Sequence, residues 1–237
     1  MSTYVYAIAG AGHPLRLDGV GGVGEPAREI RVLRAGLLGV VASDAPEGLR
    51  AKRRDVLAHQ RVLDRLLEDG TVLPMRFGLV AADDEQVVAA IAGGSEGYTE
   101  RLAEIEGCRE YNLKVTRSED DLLRQVMEEV PEARRLNDLT RTQPDDHAQK
   151  MVLGEILAGE VRMRQDHGAR EILASLAPRA VRHSEGEPTG SCFLNTSFLV
   201  SRDQAPAFAQ AVHEEVERHD DSYSFKLNGP LPPYSFV

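Results

Sequence analysis

Residues 19–24 of this chain carry the spacing G-x-G-x-x-G, which in dinucleotide-binding folds places glycines around a pyrophosphate. That chemistry needs a strand directly before the motif and a helix N-terminus at its end. Here a loop separates the motif from the first strand-like run, and Glu25-Pro26 and a strand-like run at 30–33 follow it. We therefore interpret the motif as a glycine-rich surface loop, and we expect no cofactor.

Two histidines of a helix predicted at 203–219, His213 and His219, flank three glutamates and suggest a metal site by composition. Zinc-binding helices place two histidines four residues apart on one face. These two are six residues apart, which turns them to roughly opposite sides of a helix. We expect a solvated charged face and no bound metal. The other histidines are expected at the surface: His13, His59, His147, His167 and His183.

Candidate nucleophiles lack the partners that catalysis requires. The letters G-x-S-x-G occur at Gly93-Gly94-Ser95-Glu96-Gly97, between two predicted helices and not in the strand-to-helix turn of a nucleophile elbow. The two cysteines, Cys108 and Cys192, are far apart and predict buried thiols. The acidic run Asp83-Asp84-Glu85 is typical of a helix start, where the macrodipole favours negative charge. Because the sequence shows no nucleophile together with a base and an orienting group, we expect a protein that is not an enzyme.

Arg76 is the polar residue with the most unusual surroundings, because it lies between Met75 and Phe77 in an apolar run. An arginine in such a segment usually pairs with a carboxylate or with backbone carbonyls. The structural interpretation is an internal tie between a short strand and a helix, and it is the one we favour. The functional interpretation is an anchor for a partner's carboxylate or carbonyl.

The elements of the first half follow from periodicity and breakers. Strands are predicted at 3–9, 29–34 and 37–42, with a short one at 72–73, because these runs are rich in β-branched and aromatic residues. An amphipathic helix is predicted at 50–69, with Val56, Leu63, Leu66 and Leu67 on its apolar face. Two further helices are predicted to follow, and Gly107 is the expected domain boundary.

The second half is predicted to contain, in order, a strand, several helices, a weak strand, a strand, a helix and a final strand. The strands are expected at 109–116, 180–183, 191–200 and 222–227, and the helical crossover after the first is enlarged, at about 119–182. A helix with a kink or break is expected at 146–177, because Gly154, Gly159 and Gly168 weaken it. The helix predicted at 203–219 is expected to face inward with Phe208, Ala211, Val212 and Val216. The order βαββαβ is the ferredoxin-like plan. We thus predict an α+β protein with an α+β domain at 1–107 and a ferredoxin-like domain at 108–237.

Composition limits the possible partners. The 237 residues are 42% hydrophobic and 28% charged, which suits a globular protein, and the net charge is −10. The acidic balance argues against nucleic acid and against an anionic lipid surface. No apolar stretch is long enough to span a bilayer, and the start lacks the pattern of a signal peptide, so we expect a cytoplasmic protein without a membrane partner.

The end of the chain is unusually apolar. Residues 229–237 contain three prolines, two aromatic side chains and a last valine, with no charged side chain. Proline lowers the entropy lost on ordering, and exposed apolar area is unfavourable in water. We expect this tail to dock, on its own second domain or, in the functional interpretation, on another protein.

Four segments, spread over nearly the whole chain and in the family's order, resemble the gas vesicle GvpL/GvpF family, with the F-like branch favoured. They are Tyr4-Val5-Tyr6-Ala7-Ile8, Leu73-Pro74-Met75-Arg76-Phe77-Gly78, Asn195-Thr196-Ser197-Phe198-Leu199-Val200 and Gly229-Pro230-Leu231-Pro232-Pro233-Tyr234-Ser235-Phe236-Val237. Within them, the candidate partner-binding or structural residues are Leu73, Pro74, Met75, Arg76, Phe77, Gly78, Pro230, Pro232, Pro233, Tyr234 and Phe236.

The resemblance implies a structural or accessory role in building the gas-filled protein shell of a buoyant prokaryote. The implied partners are the small hydrophobic shell protein and other accessory gas vesicle proteins, and the implied location is the gas vesicle. An alternative that rests on fold analogy alone is a ferredoxin-like regulatory protein that senses a small molecule.

Overall fold

The computed structural model of this chain describes residues 1–143, 145–189 and 191–237. These form two compact units, Met1–Glu110 with Gly229–Val237 and Tyr111–Asn228. The observed division lies close to the expected boundary at Gly107. The tail differs from the expectation, because it groups with the first unit and not with the ferredoxin-like domain.

The first unit is built on an antiparallel sheet. Its strands are β1 (Thr3–Gly10), β2 (Ile30–Ala35), β3 (Leu38–Asp44), β4 (Val72–Pro74) and β5 (Val80–Ala81). The order is β2-β3-β1-β4, and β5 also pairs with β1. The first seven residues of β1 are buried, which explains why this strand is apolar and aromatic throughout instead of alternating.

Three helices complete the first unit: α1 (Arg53–Asp69), α2 (Asp84–Gly93) and α3 (Ser95–Glu104). Leu63, Leu66 and Leu67 of α1 are buried in one core cluster with the side chains of β1, as their spacing predicts. Val56 was expected on the same face and is 39% exposed. The buried face begins instead with Asp55 and His59, so the stripe is rotated relative to the predicted one.

The second unit is built on a second sheet with the remaining helices. Its strands are β6 (Cys108–Arg117), β7 (Arg182–Glu185), β8 (Cys192–Ser201) and β9 (Tyr223–Leu231). Its helices are α4 (Glu119–Glu129), α5 (Pro131–Thr142), α6 (His147–Leu176) and α7 (Ala205–Glu217). The strand order is β7-β8-β6-β9, which is the ferredoxin-like order, with α4 to α6 as the enlarged first crossover. The α+β class is confirmed.

Two details of the second unit correct the expectations. Helix α6 runs through all 30 of its residues without the predicted break. A methyl group added at Gly154 or Gly159 would meet no atom within 4 Å, so these glycines lie in open space. The propensity cost of each glycine is about 1 kcal/mol, and packing of Ile172 and Leu176 in the core opposes it.

On α7 the buried face differs from the predicted one. Val216 was expected to face inward and is 40% exposed, whereas Glu215 is 4% exposed. The Glu215 carboxylate accepts hydrogen bonds from the Ser175 hydroxyl at 2.8 Å and from the Arg218 guanidinium at 2.9 Å. These partners explain how a carboxylate is held in the interior.

Candidate functional site

A buried polar network organises the interior of the first unit. The His59 side chain on α1 lies with its Nδ1 2.8 Å from the Tyr4 hydroxyl and its Nε2 3.0 Å from the carbonyl oxygen of Met75. A carbonyl only accepts, so Nε2 carries the hydrogen of the neutral ring and Nδ1 accepts from Tyr4. The Tyr4 oxygen in turn accepts from the backbone N–H of Gly78 at 3.2 Å. One neutral tautomer therefore satisfies every group in the network.

Burial sets the protonation of this network. The interior lowers the pKa of His59, because removing water disfavours the imidazolium, while its hydrogen bond to Met75 opposes the shift. The pKa values of Tyr4 and Tyr6 are raised for the same reason, since the phenolate is the charged form. His59 is consequently a neutral structural connector between α1 and the segment that follows β4.

The segment of residues 73–78, which the sequence singled out, is held by β1. Leu73 pairs with Ile8 and Pro74 pairs with Ala7 in the antiparallel register, and the Met75 N–H donates to the Tyr6 carbonyl at 2.8 Å. Gly78 has φ +95°, a backbone conformation that favours glycine. The turn places the half-buried ring of Phe77 against the rings of Tyr4 and His59, with centroids 6.0 and 5.8 Å apart.

The apolar tail docks in the same unit. Pro232, Pro233 and Phe236 are buried. The backbone N–H and the hydroxyl of Ser235 each donate to the carboxylate of Glu110 at 2.8 Å. Burial raises the pKa of Tyr234 to about 12, and its hydroxyl lies 3.4 Å from His59 Nε2. The docked tail and the segment at 73–78 thus meet at His59.

An open cavity of about 530 Å³, which we call the tail cavity, lies where these two segments meet. It is lined by Leu73, Pro74, Met75, Arg76, Phe77, Gly78, Leu79, Tyr98, Arg101, Tyr234 and Val237. The structure therefore brings the whole predicted segment 73–78 together with Tyr234. Pro230, Pro232, Pro233 and Phe236 are not among its lining residues; Pro230 lies in β9, and the other three are buried in the docked tail.

The structure corrects the interpretation of Arg76 as an internal tie. The side chain of Arg76 is exposed, and it forms no ion pair with any residue in the described part of the chain. Arg101 on α3, which the sequence did not single out, is likewise exposed at the tail cavity and unpaired within the described residues. Apolar neighbours along the chain did not bury Arg76, which lies in the stretch between β4 and β5 where Gly78 and Leu79 are exposed as well.

The glycine-rich motif at 19–24 has a structural role. The backbone N–H of Val23, a fully buried residue, donates to the Tyr6 hydroxyl at 2.8 Å. The N–H of Gly22 donates to the Arg28 carbonyl at 2.8 Å. These donors are used within the protein, so they do not form a phosphate cradle. The motif was expected at the surface, but Gly22 and Val23 are buried.

The other candidate residues also have structural explanations. Cys108 and Cys192 are buried thiols, as predicted, and no disulfide joins them in the described part of the chain. His213 is exposed, whereas His219, which the spacing turns to roughly the opposite side and which was also expected to be solvated, packs with its ring centroid 4.4 Å from that of Tyr223. Within residues 1–143, 145–189 and 191–237, no cluster of three or more histidine, cysteine or acidic side chains is arranged to hold a metal ion. Among the helices of those residues, none combines the length and apolar character needed to cross a bilayer.

Sequence reasoning missed His59 and Glu110, both of which hold the site. His59 was expected at the surface and is 2% exposed. Its spacing from Leu63 and Leu66, four and seven residues on, places it on the buried face of α1 and was the available signal. Glu110 lies in a strand with no local pattern that marks a buried carboxylate, so only its contact with Ser235 identifies it.

Comparison with known proteins gives a consistent result. The family described as "Gas vesicle synthesis protein GvpL/GvpF" matches residues 2–237. A "Gas vesicle protein F" of Streptomyces sp. (strain CB03234) is 41% identical over 238 residues, covering 100% of both chains. The crystal structure of gas vesicle protein GvpF from Microcystis aeruginosa superposes with a TM-score of 0.83 at 25% identity, covering 99% of this chain and 98% of that one.

A second solved structure, GvpF from Anabaena sp. PCC7120, shares the fold with a TM-score of 0.83 at 22% identity, covering 99% of this chain and 97% of that one. Sequence and fold agree over nearly the full length, and the four segments quoted above lie within the matched region. This gas vesicle-associated chain belongs to the GvpL/GvpF family.

Proposed function

We propose that this chain is a non-enzymatic gas vesicle accessory protein that binds the hydrophobic shell protein and supports assembly of the vesicle. The observation that supports the proposal best is the tail cavity. The segment at 73–78 and the tail, which are the two most unusual stretches of the sequence, both line this open apolar depression. Leu79, which lines the cavity, and the adjacent Val80 are 47% and 43% exposed, and Val237 is 37% exposed.

The physical reason for such a surface lies in the partner's chemistry. A very hydrophobic subunit aggregates through exposed apolar area and unpaired strand edges. A protein of net charge −10 that covers part of this area keeps the complex dispersed through charge repulsion. Other accessory gas vesicle proteins are further proposed partners.

Co-expression of the tagged protein with the shell protein tests the proposal. We expect the shell protein to remain in the supernatant and to co-purify with the tag. The variant Leu79→Asp replaces an apolar side chain of the tail cavity by a charged one and should reduce retention by about tenfold or more, since apolar contact area is lost and a charge must be desolvated on binding.

The matched control is Leu37→Asp, which changes a leucine that is 79% exposed in the turn between β2 and β3. This variant should retain the shell protein like the wild type. Recovery of folded, tagged protein without shell protein would contradict the proposed function. Equal retention by Leu79→Asp and Leu37→Asp would place the contact elsewhere on the molecule.

A further inference from the structure

Two arginines face the tail cavity from two different elements. Arg76 lies between β4 and β5, and Arg101 lies on the last turn of α3. Both side chains are exposed, and neither forms an ion pair with a carboxylate of the described residues. The site therefore presents guanidinium groups whose hydrogen-bond donors are available to a ligand.

This arrangement contrasts with many other arginines of the chain. Arg31 is paired with Asp44 and Asp84, and Arg65 with Glu68 and Asp69. Acidic side chains outnumber basic ones 38 to 28. Even so, none of the side chains that line the tail cavity, as far as the structure describes it, is acidic. A carboxylate that enters the cavity meets two cations and no side-chain anion.

The walls of the tail cavity indicate which groups should lie next to the carboxylate on the ligand. They consist of aliphatic, thioether and aromatic groups, among them Leu73, Met75, Phe77 and Tyr98. Apolar walls favour apolar neighbours on the ligand, and the guanidinium fork matches a carboxylate with two parallel hydrogen bonds. A polyanion such as nucleic acid would fit two arginines but would leave these walls without partners, and the overall negative charge would repel it.

We propose that the tail cavity recognises an acidic side chain, aspartate or glutamate, carried by an apolar segment of the partner, with Arg76 and Arg101 binding the carboxylate. This proposal rests on the proposed function, because it specifies the chemistry of the same contact. The acidic group fixes the register of an otherwise featureless apolar segment, so it supplies specificity where apolar contact alone would not.

The test measures binding of the full-length protein to an array of overlapping peptides that cover the shell protein. A second array carries the same peptides with each aspartate or glutamate replaced by its amide. The wild type should bind apolar peptides that contain an acidic residue and should bind the matching amide peptides roughly tenfold more weakly, as expected for loss of a charge-assisted pair.

The double variant Arg76→Gln/Arg101→Gln should lose about the same factor for the acidic peptides and should no longer distinguish acid from amide. Arg61→Gln is the matched control, because Arg61 is exposed on α1 and does not line the tail cavity. It should bind like the wild type. Unchanged thermal melting of both arginine variants verifies that they fold.

The outcomes separate this inference from the proposed function. If the wild type retains the shell protein in co-expression but the double variant retains it equally well, the inference is wrong and the function stands. The same conclusion follows if acidic apolar peptides are not among those bound. If the wild type does not retain the shell protein at all, both proposals fail.

Discussion

His59 shows how one side chain connects three parts of the first unit. Its two ring nitrogens contact the Tyr4 hydroxyl and the Met75 carbonyl, and the Tyr234 hydroxyl lies close to Nε2. Its ring also stacks on Tyr6 at a centroid distance of 5.6 Å. Because the neutral tautomer satisfies all of these contacts, protonation of Nδ1 would remove the acceptor for Tyr4. The first unit should therefore become less stable at acidic pH.

The first prediction concerns pH. Burial lowers the pKa values of His59 and His13 below the ordinary value of 6.5, so the unfolded state binds more protons in this range. Stability should be greatest above about pH 6.5 and should fall as the pH drops through the lowered pKa values. Urea unfolding at pH 7.5, 6.5 and 5.5 measures the change.

Two variants identify the groups responsible for this pH dependence. His59→Gln should cost about 1–3 kcal/mol at pH 7.5, because buried hydrogen bonds are lost, and it should flatten the profile. His213→Gln, which changes an exposed histidine, should leave the profile of the wild type. A stability that is constant or falls less than expected between pH 7.5 and 5.5, or that rises, would contradict the assignment of His59 and His13 as imidazoles kept neutral by partial or full burial.

At the scale of elements, the glycine-rich loop is a packed part of the sheet unit. A methyl group added at Gly22 would lie 2.5 Å from the Tyr6 hydroxyl oxygen and 2.9 Å from the Arg28 carbonyl oxygen. The Tyr6 hydroxyl cannot move freely, because it accepts from Val23 and lies 2.9 Å from the Ser43 hydroxyl. The loop therefore needs glycine for close approach and not for nucleotide binding.

The second prediction compares two glycines. Gly22→Ala should destabilise the first unit by about 1–3 kcal/mol, because overpacking displaces either Tyr6 or the backbone of the loop. Gly12→Ala is the matched control, since nothing lies within 4 Å of a methyl group there, and it should change stability by less than about 1 kcal/mol. Equal effects of the two changes in urea unfolding would refute this role of the loop.

The third prediction concerns the tail. Deleting residues 232–237 removes the buried Phe236 and the two donors to Glu110, so the first unit should lose more than about 3 kcal/mol. Hydrogen exchange read by mass spectrometry should show lost protection in β1 and α1, with β8 and α7 much less affected. Loss confined to β8 and α7 would instead support docking on the ferredoxin-like domain.

At the scale of the whole molecule, the net charge and the composition are consistent with the proposed function. Acidic residues give the chain a net charge of −10 and a pI near 5.2, and the described helices lack a membrane span. In the proposed function, this charge keeps the complex with a hydrophobic subunit dispersed, and the contact is made by a local apolar depression lined by two arginines. The overall charge and the local charge at the tail cavity have opposite signs.

The fourth prediction follows from the overall charge. Turbidity of the co-purified complex with the shell protein should be low at pH 7.5 and should rise as the pH approaches 5.2, because the net charge that this chain contributes to repulsion disappears there. Raising the ionic strength at pH 7.5 should have a weaker effect in the same direction. A complex that stays clear at pH 5.2 would show that the net charge of this chain does not keep it dispersed.

The sequence by itself determined the α+β class, most element positions and the family. Period-two and helical patterns are local, and they survive folding because each face must be buried somewhere. The predicted strand at 3–9 and the βαββαβ order agree with β1 and with the second sheet. The segments at 73–78 and 229–237 were also recognisable without coordinates, because prolines and aromatics in a row are unusual.

Only the tertiary structure decided where these segments lie and which residues they contact. The tail joins the first unit through Glu110, more than a hundred residues away in sequence, and Arg101 joins Arg76 at the tail cavity from another helix. The burial of His59 and the exposure of Arg76 also reversed the local expectations. Such contacts depend on which chain segments the fold brings together, and no local pattern of residue types records that, because periodicity reports which face is buried but not what covers it.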